Sequence, residues 1–123
     1  MKEISIFIRK DDLTQVTEIL RKHNVGGISI YDISGAGRAE REAVPEMVRS
    51  YMTGRTITPD YAKRTKVETI VSDSAMNQIV DDILNHLSQH AGTEAHGMIF
   101  VKDVSDAIEI GTKRRGEAVL TSK

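Results

Sequence analysis

A strand, helix, strand pattern occurs twice in this chain, over 3–33 and again over 66–101, with a long polar segment between the copies. Period-two apolar alternation brackets each helical stripe. Together these predict an α+β fold of the ferredoxin-like βαββαβ kind: one four-stranded antiparallel sheet with two helices on one face. At 123 residues, the length suits a single domain, 1–123, with one modest core.

The elements follow in order. Ile4, Ile6 and Ile8 alternate with Ser5, Phe7 and Arg9, as in a strand covered on one side. Asp11 and Asp12 are placed to cap the next segment, with Gln15 completing a capping box; Leu13, Val16, Ile19 and Leu20 recur at helical spacing until about His23. Ile28 to Ile33 read as the second strand, stopped by the Gly35-Ala36-Gly37 turn. From Ala39 to Arg64 no period is sustained, although Val44, Met47, Val48 and Tyr51 would make one amphipathic turn. So long a connection between well-formed strands is usually a binding or switching element. Alternation resumes at Lys66, with Val67, Thr69 and Val71 opposite Lys66, Glu68 and Ile70. Ser72, Asp73 or Ser74 then caps a second helix with the stripe Met76, Ile79, Val80, Ile83, Leu84 and Leu87, ending near Ser88. After a polar turn, Met98 to Val101 form the last strand, and a short segment with Ile108 and Ile110 gives way to a basic end. With both helices on one face, Phe7, Tyr31 and Ile33 point to the other, so oligomerisation is expected.

Composition narrows the function. Hydrophobic residues are 39%, charged residues 28% and the net charge is -1, which argues against a nucleic-acid-coating protein. No cysteine is present, removing disulfides and thiolate chemistry. A strand begins at once and no apolar run is long enough to span a bilayer, so a cytoplasmic protein without direct membrane insertion is expected.

Met1 to Arg9, Val25-Gly26-Gly27-Ile28 and Gly35-Ala36-Gly37-Arg38 resemble the opening of the PII family of signalling proteins, up to the start of its long T-loop. Gly97-Met98-Ile99-Phe100-Val101 and Arg115-Gly116-Glu117 resemble its B-loop exit and C-terminal signature. The resemblance implies a homotrimer with sheets inward. An adenine nucleotide would bind between the T-loop root of one subunit and the B- and C-loops of its neighbour, joined by magnesium and 2-oxoglutarate. The T-loop, about 38–65 here, would move and control a target such as an ammonium transporter or a metabolic enzyme. The B-loop corresponds to about 90–97 and the C-terminal loop to about 109–123.

The chain departs from that pattern where phosphates would bind. The family's B-loop lysine is Met98, its two C-terminal arginines are Glu109 and Gly111, and the glutamine after Gly37-Arg38 is Ala39. A charge-assisted bond to phosphate contributes roughly 1.5 to 3 kcal/mol, so these losses weaken ATP binding by several powers of ten. Magnesium is not expected. Arg38, Arg64, Lys66, Lys113, Arg114 and Arg115 suit instead a compact anion bound directly, a carboxylate such as citrate or a low-phosphate adenine nucleotide. Gly35, Ala36, Gly37, His96 and Gly97 complete the expected ligand site, and Arg49, Tyr51 and Arg55 the partner-binding loop.

Three other readings carry less. His86 and His90, one turn apart with Asp82 a turn earlier, have the spacing of a metal site in a trimer of related fold, but histidine near a helix C-terminus needs no ion. An RNA-binding module would need stacking aromatics on its sheet. Catalysis is not expected: there is no thiol, and no Ser-His-Asp spacing that the strand order assembles.

Overall fold

A computed structural model describes residues 1–35, 48–49, 56–57, 62–87 and 97–121. The elements are β1 (Lys2–Ile8), α1 (Leu13–Lys22), β2 (Ser29–Gly35), β3 (Val48–Arg49), β4 (Thr56–Ile57), β5 (Ala62–Val71), α2 (Asp73–Leu87) and β6 (Met98–Asp103). The main sheet runs β2-β5-β1-β6, every pair antiparallel, which is the expected ferredoxin-like plan. One row of the register reads Tyr31, Lys66, Phe7, Met98 across the four strands.

The alternating isoleucines of β1 explain where the core sits. Ile4, Ile6 and Ile8 are buried with Val67 and Val71 of β5, and Val16, Ile19 and Leu20 of α1 and Ile79 and Ile83 of α2 cover them. Each such side chain contributes about 1.5–3 kcal/mol by leaving water. The two helices are also tied to each other: Nε2 of His23 lies 2.9 Å from Oδ2 of Asp82.

Several local expectations change. Asp12 makes no capping hydrogen bond, because a 3-10 turn over Lys10–Asp12 already puts it in the helical region, whereas a capping side chain needs an extended backbone. Ser72 does cap α2, accepting from the Ala75 N–H at 3.2 Å. Leu84, expected in the buried stripe, is half exposed beside the edge strand β6. The strand after the long loop begins at Ala62 and not at Lys66, so the last part of the expected 38–65 loop is strand. Backbone pairing of 62–65 with Asp32–Gly35 extends it through polar residues that carry no hydrophobic signal. Within the loop, Val48–Arg49 pairs with Thr56–Ile57, so Val48 lies in a strand and not in a helical turn, as its β-branching favours.

The end of the chain is not merely a basic tail. Ile108 bridges to Arg115, a 3-10 turn covers Gly116–Val119, and Leu120 is buried. The Gly26 N–H donates to the Leu120 carbonyl at 2.7 Å. A Cβ on Gly26 would lie 2.6 Å from that oxygen, so the glycine is what lets the segment return to β2.

Candidate functional site: the loop roots and the C-terminal hairpin

Antiparallel pairing fixes which loops are neighbours. The long loop leaves β2 at Gly35 and rejoins the sheet at Ala62, directly opposite. Gly97, which opens β6, comes to the same end of the sheet, since Met98 pairs with Phe7 and Phe7 with Lys66. Gly97 has φ +122°, and a Cβ there would lie 1.7 Å from the Phe7 carbonyl oxygen. Only glycine permits this approach.

Arg64 and Lys66 lie two apart on β5 and therefore share the face away from the helices. One guanidinium nitrogen of Arg64 donates to the Lys63 carbonyl at 2.9 Å. Lys66 is held more closely. Its Nζ sits 5.6 Å from the Phe7 ring centroid, 5.5 Å from that of Tyr31 and 3.3 Å from Oε1 of Glu68. The Tyr31 hydroxyl donates to Oε2 of Glu68 at 3.0 Å. That hydrogen bond, then the Lys66 ammonium, hold the Glu68 carboxyl below the usual glutamate range. Lys66 is thus already engaged in a cation–π and ion-pair cluster on the open face.

Lys113, Arg114 and Arg115 lie elsewhere, in a tight hairpin. Its ladder joins the Glu109 N–H to Arg114 O at 2.9 Å, the Lys113 N–H to Glu109 O at 2.8 Å and the Gly116 N–H to Ala107 O at 2.9 Å. Arg114 reaches Oε2 of Glu109 at 3.4 Å, and the Thr112 hydroxyl donates to the same carboxylate. Arg115 donates twice to Oδ2 of Asp106, from Nε at 2.9 Å and from Nη2. These bonds, with the Ala107 N–H, keep the Asp106 carboxyl below the ordinary aspartate range. The two arginines are therefore matched by carboxylates of their own hairpin.

The hairpin base faces a cavity of about 410 Å³ whose lining includes Gly27, Ser29, Ile70 and three carboxylates, Glu3, Glu68 and Glu109. Among the described residues, no lysine or arginine lines it. From Ile70 to Arg64 is six residues along β5, about 20 Å at the usual strand rise. Among the described residues, then, one chain gathers Gly35, Arg64, Lys66 and Gly97 at one end of the sheet and Lys113, Arg114 and Arg115 at the other. Ala36, Gly37, Arg38, Tyr51, Arg55, His90 and His96 lie outside the described residues, and Arg49 is placed by its backbone, in β3.

Among the described residues, the cavity by the hairpin presents three carboxylates, and Arg114 and Arg115 each pair with a carboxylate of the hairpin itself. His86 Nδ1 lies 2.8 Å from the Asp82 carbonyl oxygen, and no group of three metal-type side chains occurs among the described residues. Sequence reasoning missed Asp106 as the partner of Arg115; the pair is diagonal, Asp106 lying two residues before Ile108, which bridges to Arg115. It also missed Glu3, whose side chain shares the open face with Glu68.

Comparison with known proteins settles the lineage. The model of the family "Nitrogen regulatory protein P-II" matches residues 1–114. This chain belongs to the P-II family. It is similar to the nitrogen regulatory protein P-II of Porphyra purpurea, 31% identical over 98% of this chain and 100% of that one. It is also similar to P-II 1 of Escherichia coli, 28% identical over 98% and 100%, and to GlnK2 of Haloferax mediterranei, 27% identical over 94% and 88%. Family membership makes the chain one of a class of signalling regulators, and the P-II fold accounts for the split between a loop-bearing end and a C-terminal end. No helix among the described residues is long and apolar enough to cross a membrane.

Proposed function

We propose that this single-domain chain is a homotrimeric, cytoplasmic P-II-type regulator without catalytic activity. It binds a small anionic metabolite, a carboxylate such as citrate or a low-phosphate adenine nucleotide, in the cleft between subunits. The long loop, about 38–65, then controls docking to a target protein, an ammonium transporter or a metabolic enzyme. The observation that carries this is the strand register that brings both loop roots and Arg64 to one end of the sheet. An anion bound there touches the loop where it enters β5.

The mechanism is a shift of population. A ligand changes the loop only if it contacts the loop roots differently in the two conformations, since equal affinity moves nothing. Arg38 and Arg64 supply that differential contact, one at each root. Lys66, held by two rings and Glu68, sets the shape of the wall. The self-paired Arg114 and Arg115 favour a compact anion over a polyphosphate. A conventional ATP, ADP and 2-oxoglutarate sensor is the second reading, favoured by the family match over residues 1–114.

Replacing Arg38 and Arg64 together by alanine is expected to abolish the calorimetric heat of effector binding while sedimentation still shows the trimer. Undiminished affinity in that variant overturns the assignment.

A further inference from the structure

The long loop joins the sheet through a stretch that is paired on one side only. β1 pairs with β5 as far as Ile8 opposite Thr65. β2 continues three residues further, setting Ile33, Ser34 and Gly35 opposite Arg64, Lys63 and Ala62. Among the described residues, these three pairs therefore stand beyond the end of β1 as a two-stranded ribbon. Two strands alone are marginal in water; independent stability needs three or more with an apolar face, or a helix against them.

Little in the ribbon's side chains holds it closed. Ser34 and Lys63 are exposed, and the Arg64 guanidinium turns back to donate to the Lys63 carbonyl at 2.9 Å. The residue at its base works against closure. Thr65 is 1% exposed, and its hydroxyl has no hydrogen-bond partner among the described residues. Thr69, four residues on and on the same face, is buried as well, but its hydroxyl donates to the Gly27 carbonyl at 2.7 Å. A hydroxyl buried without a partner gives up its bonds to water and gains none in return.

We propose that the ribbon of residues 33–35 with 62–64 opens and closes as the two-state element at the root of the loop, with Thr65 as the residue that keeps closure marginal. Opening lengthens the connection between β2 and β5 by three residues at each end and lets water reach the Thr65 hydroxyl; closure withdraws it. An anion on Arg64 meets a guanidinium folded along its own strand in one state and a released one in the other. It therefore binds the two unequally, which a shift of population requires. The ribbon is thus the moving part of the loop control proposed above, on which this inference rests.

The chain has no cysteine, so Ser34→Cys with Lys63→Cys, a directly opposite pair, staples the ribbon shut on oxidation and frees it on reduction. Amide exchange followed by mass spectrometry is expected to slow at least tenfold over 33–35 and 62–64 on oxidation and to stay the same over 67–70. Thr65→Val is expected to raise Tm and to slow exchange over 62–64 at least threefold, whereas Thr69→Val, which removes a hydrogen bond that is made, lowers Tm. Calorimetry with citrate and with AMP reads the link to the ligand: whichever binds the reduced protein is expected to change affinity at least fivefold on oxidation. Exchange that oxidation leaves unchanged, or a Thr65→Val that loses stability as Thr69→Val does, overturns the ribbon as a two-state element. A staple that slows exchange but leaves affinity equal overturns its part in the switch and not the anion site. Failure of both ligands to bind the wild-type chain overturns the anion reading and the ribbon's part in ligand control, while the exchange result still upholds or overturns the ribbon itself.

Discussion

At the loop-bearing end of the sheet, Gly97 presses against the Phe7 carbonyl, and Lys66 is clasped by two aromatic rings and a carboxylate. At the C-terminal end, the hairpin is held mainly by a short backbone ladder and two exposed ion pairs, Arg114 to Glu109 and Arg115 to Asp106. The first end is set by close packing, which tolerates little change. The second is set by surface electrostatics, which water and salt weaken.

The largest test of this contrast is a pair of glycines. Gly97 and Gly116 both have positive φ, but a Cβ on Gly97 would collide with backbone while one on Gly116 would meet nothing within 4 Å. Gly97→Ala is expected to cost on the order of 3 kcal/mol or more, seen as a fall in Tm of about 10 °C. Gly116→Ala should cost only about 1 kcal/mol, the penalty of the left-handed backbone alone. Similar losses at the two sites in thermal unfolding would erase the distinction.

A smaller effect sharpens the other half. Asp106 titrates below its ordinary value in the folded chain, chiefly because Arg115 donates to it. A carboxyl depressed by folding stabilises the hairpin above its unfolded pKa of about 3.9 and stops doing so as pH falls through the lower folded value. Hydrogen-exchange protection of the Gly116 N–H, which is bonded to Ala107 O, should therefore drop on acidification. In Asp106→Asn it should start lower and vary less. Identical acid profiles would mean that the ion pair does not hold the hairpin.

The sheet and its helices were legible because period two and period three-point-six survive in side-chain types: Ile4, Ile6 and Ile8 announce β1, and Ile79 and Ile83 announce α2. What was hidden had no such signature. The start of β5 at Ala62 is backbone pairing through polar residues, and Leu120 returns to the core only because Gly26 lacks a side chain. The cations of the site were readable as residues but not as neighbours. Alignment of Arg64 and Lys66 with Gly97 is a matter of register, and the pairing of Arg114 with Glu109 and of Arg115 with Asp106 is a matter of the hairpin's fold.

In the proposed function this P-II chain answers to a compact anion and not to magnesium ATP. A thermal-shift panel tests it most directly: ATP, ADP, AMP and cyclic AMP, with and without magnesium and 2-oxoglutarate, beside citrate, other dicarboxylates and bicarbonate. A ligand that binds only the folded state adds about 2.7 kcal/mol at a hundred times its Kd. A concentration-dependent rise in Tm is expected with a carboxylate or a low-phosphate nucleotide alone, and little with magnesium ATP. A magnesium-dependent ATP shift that 2-oxoglutarate enlarges would contradict it and make the chain a conventional nitrogen sensor.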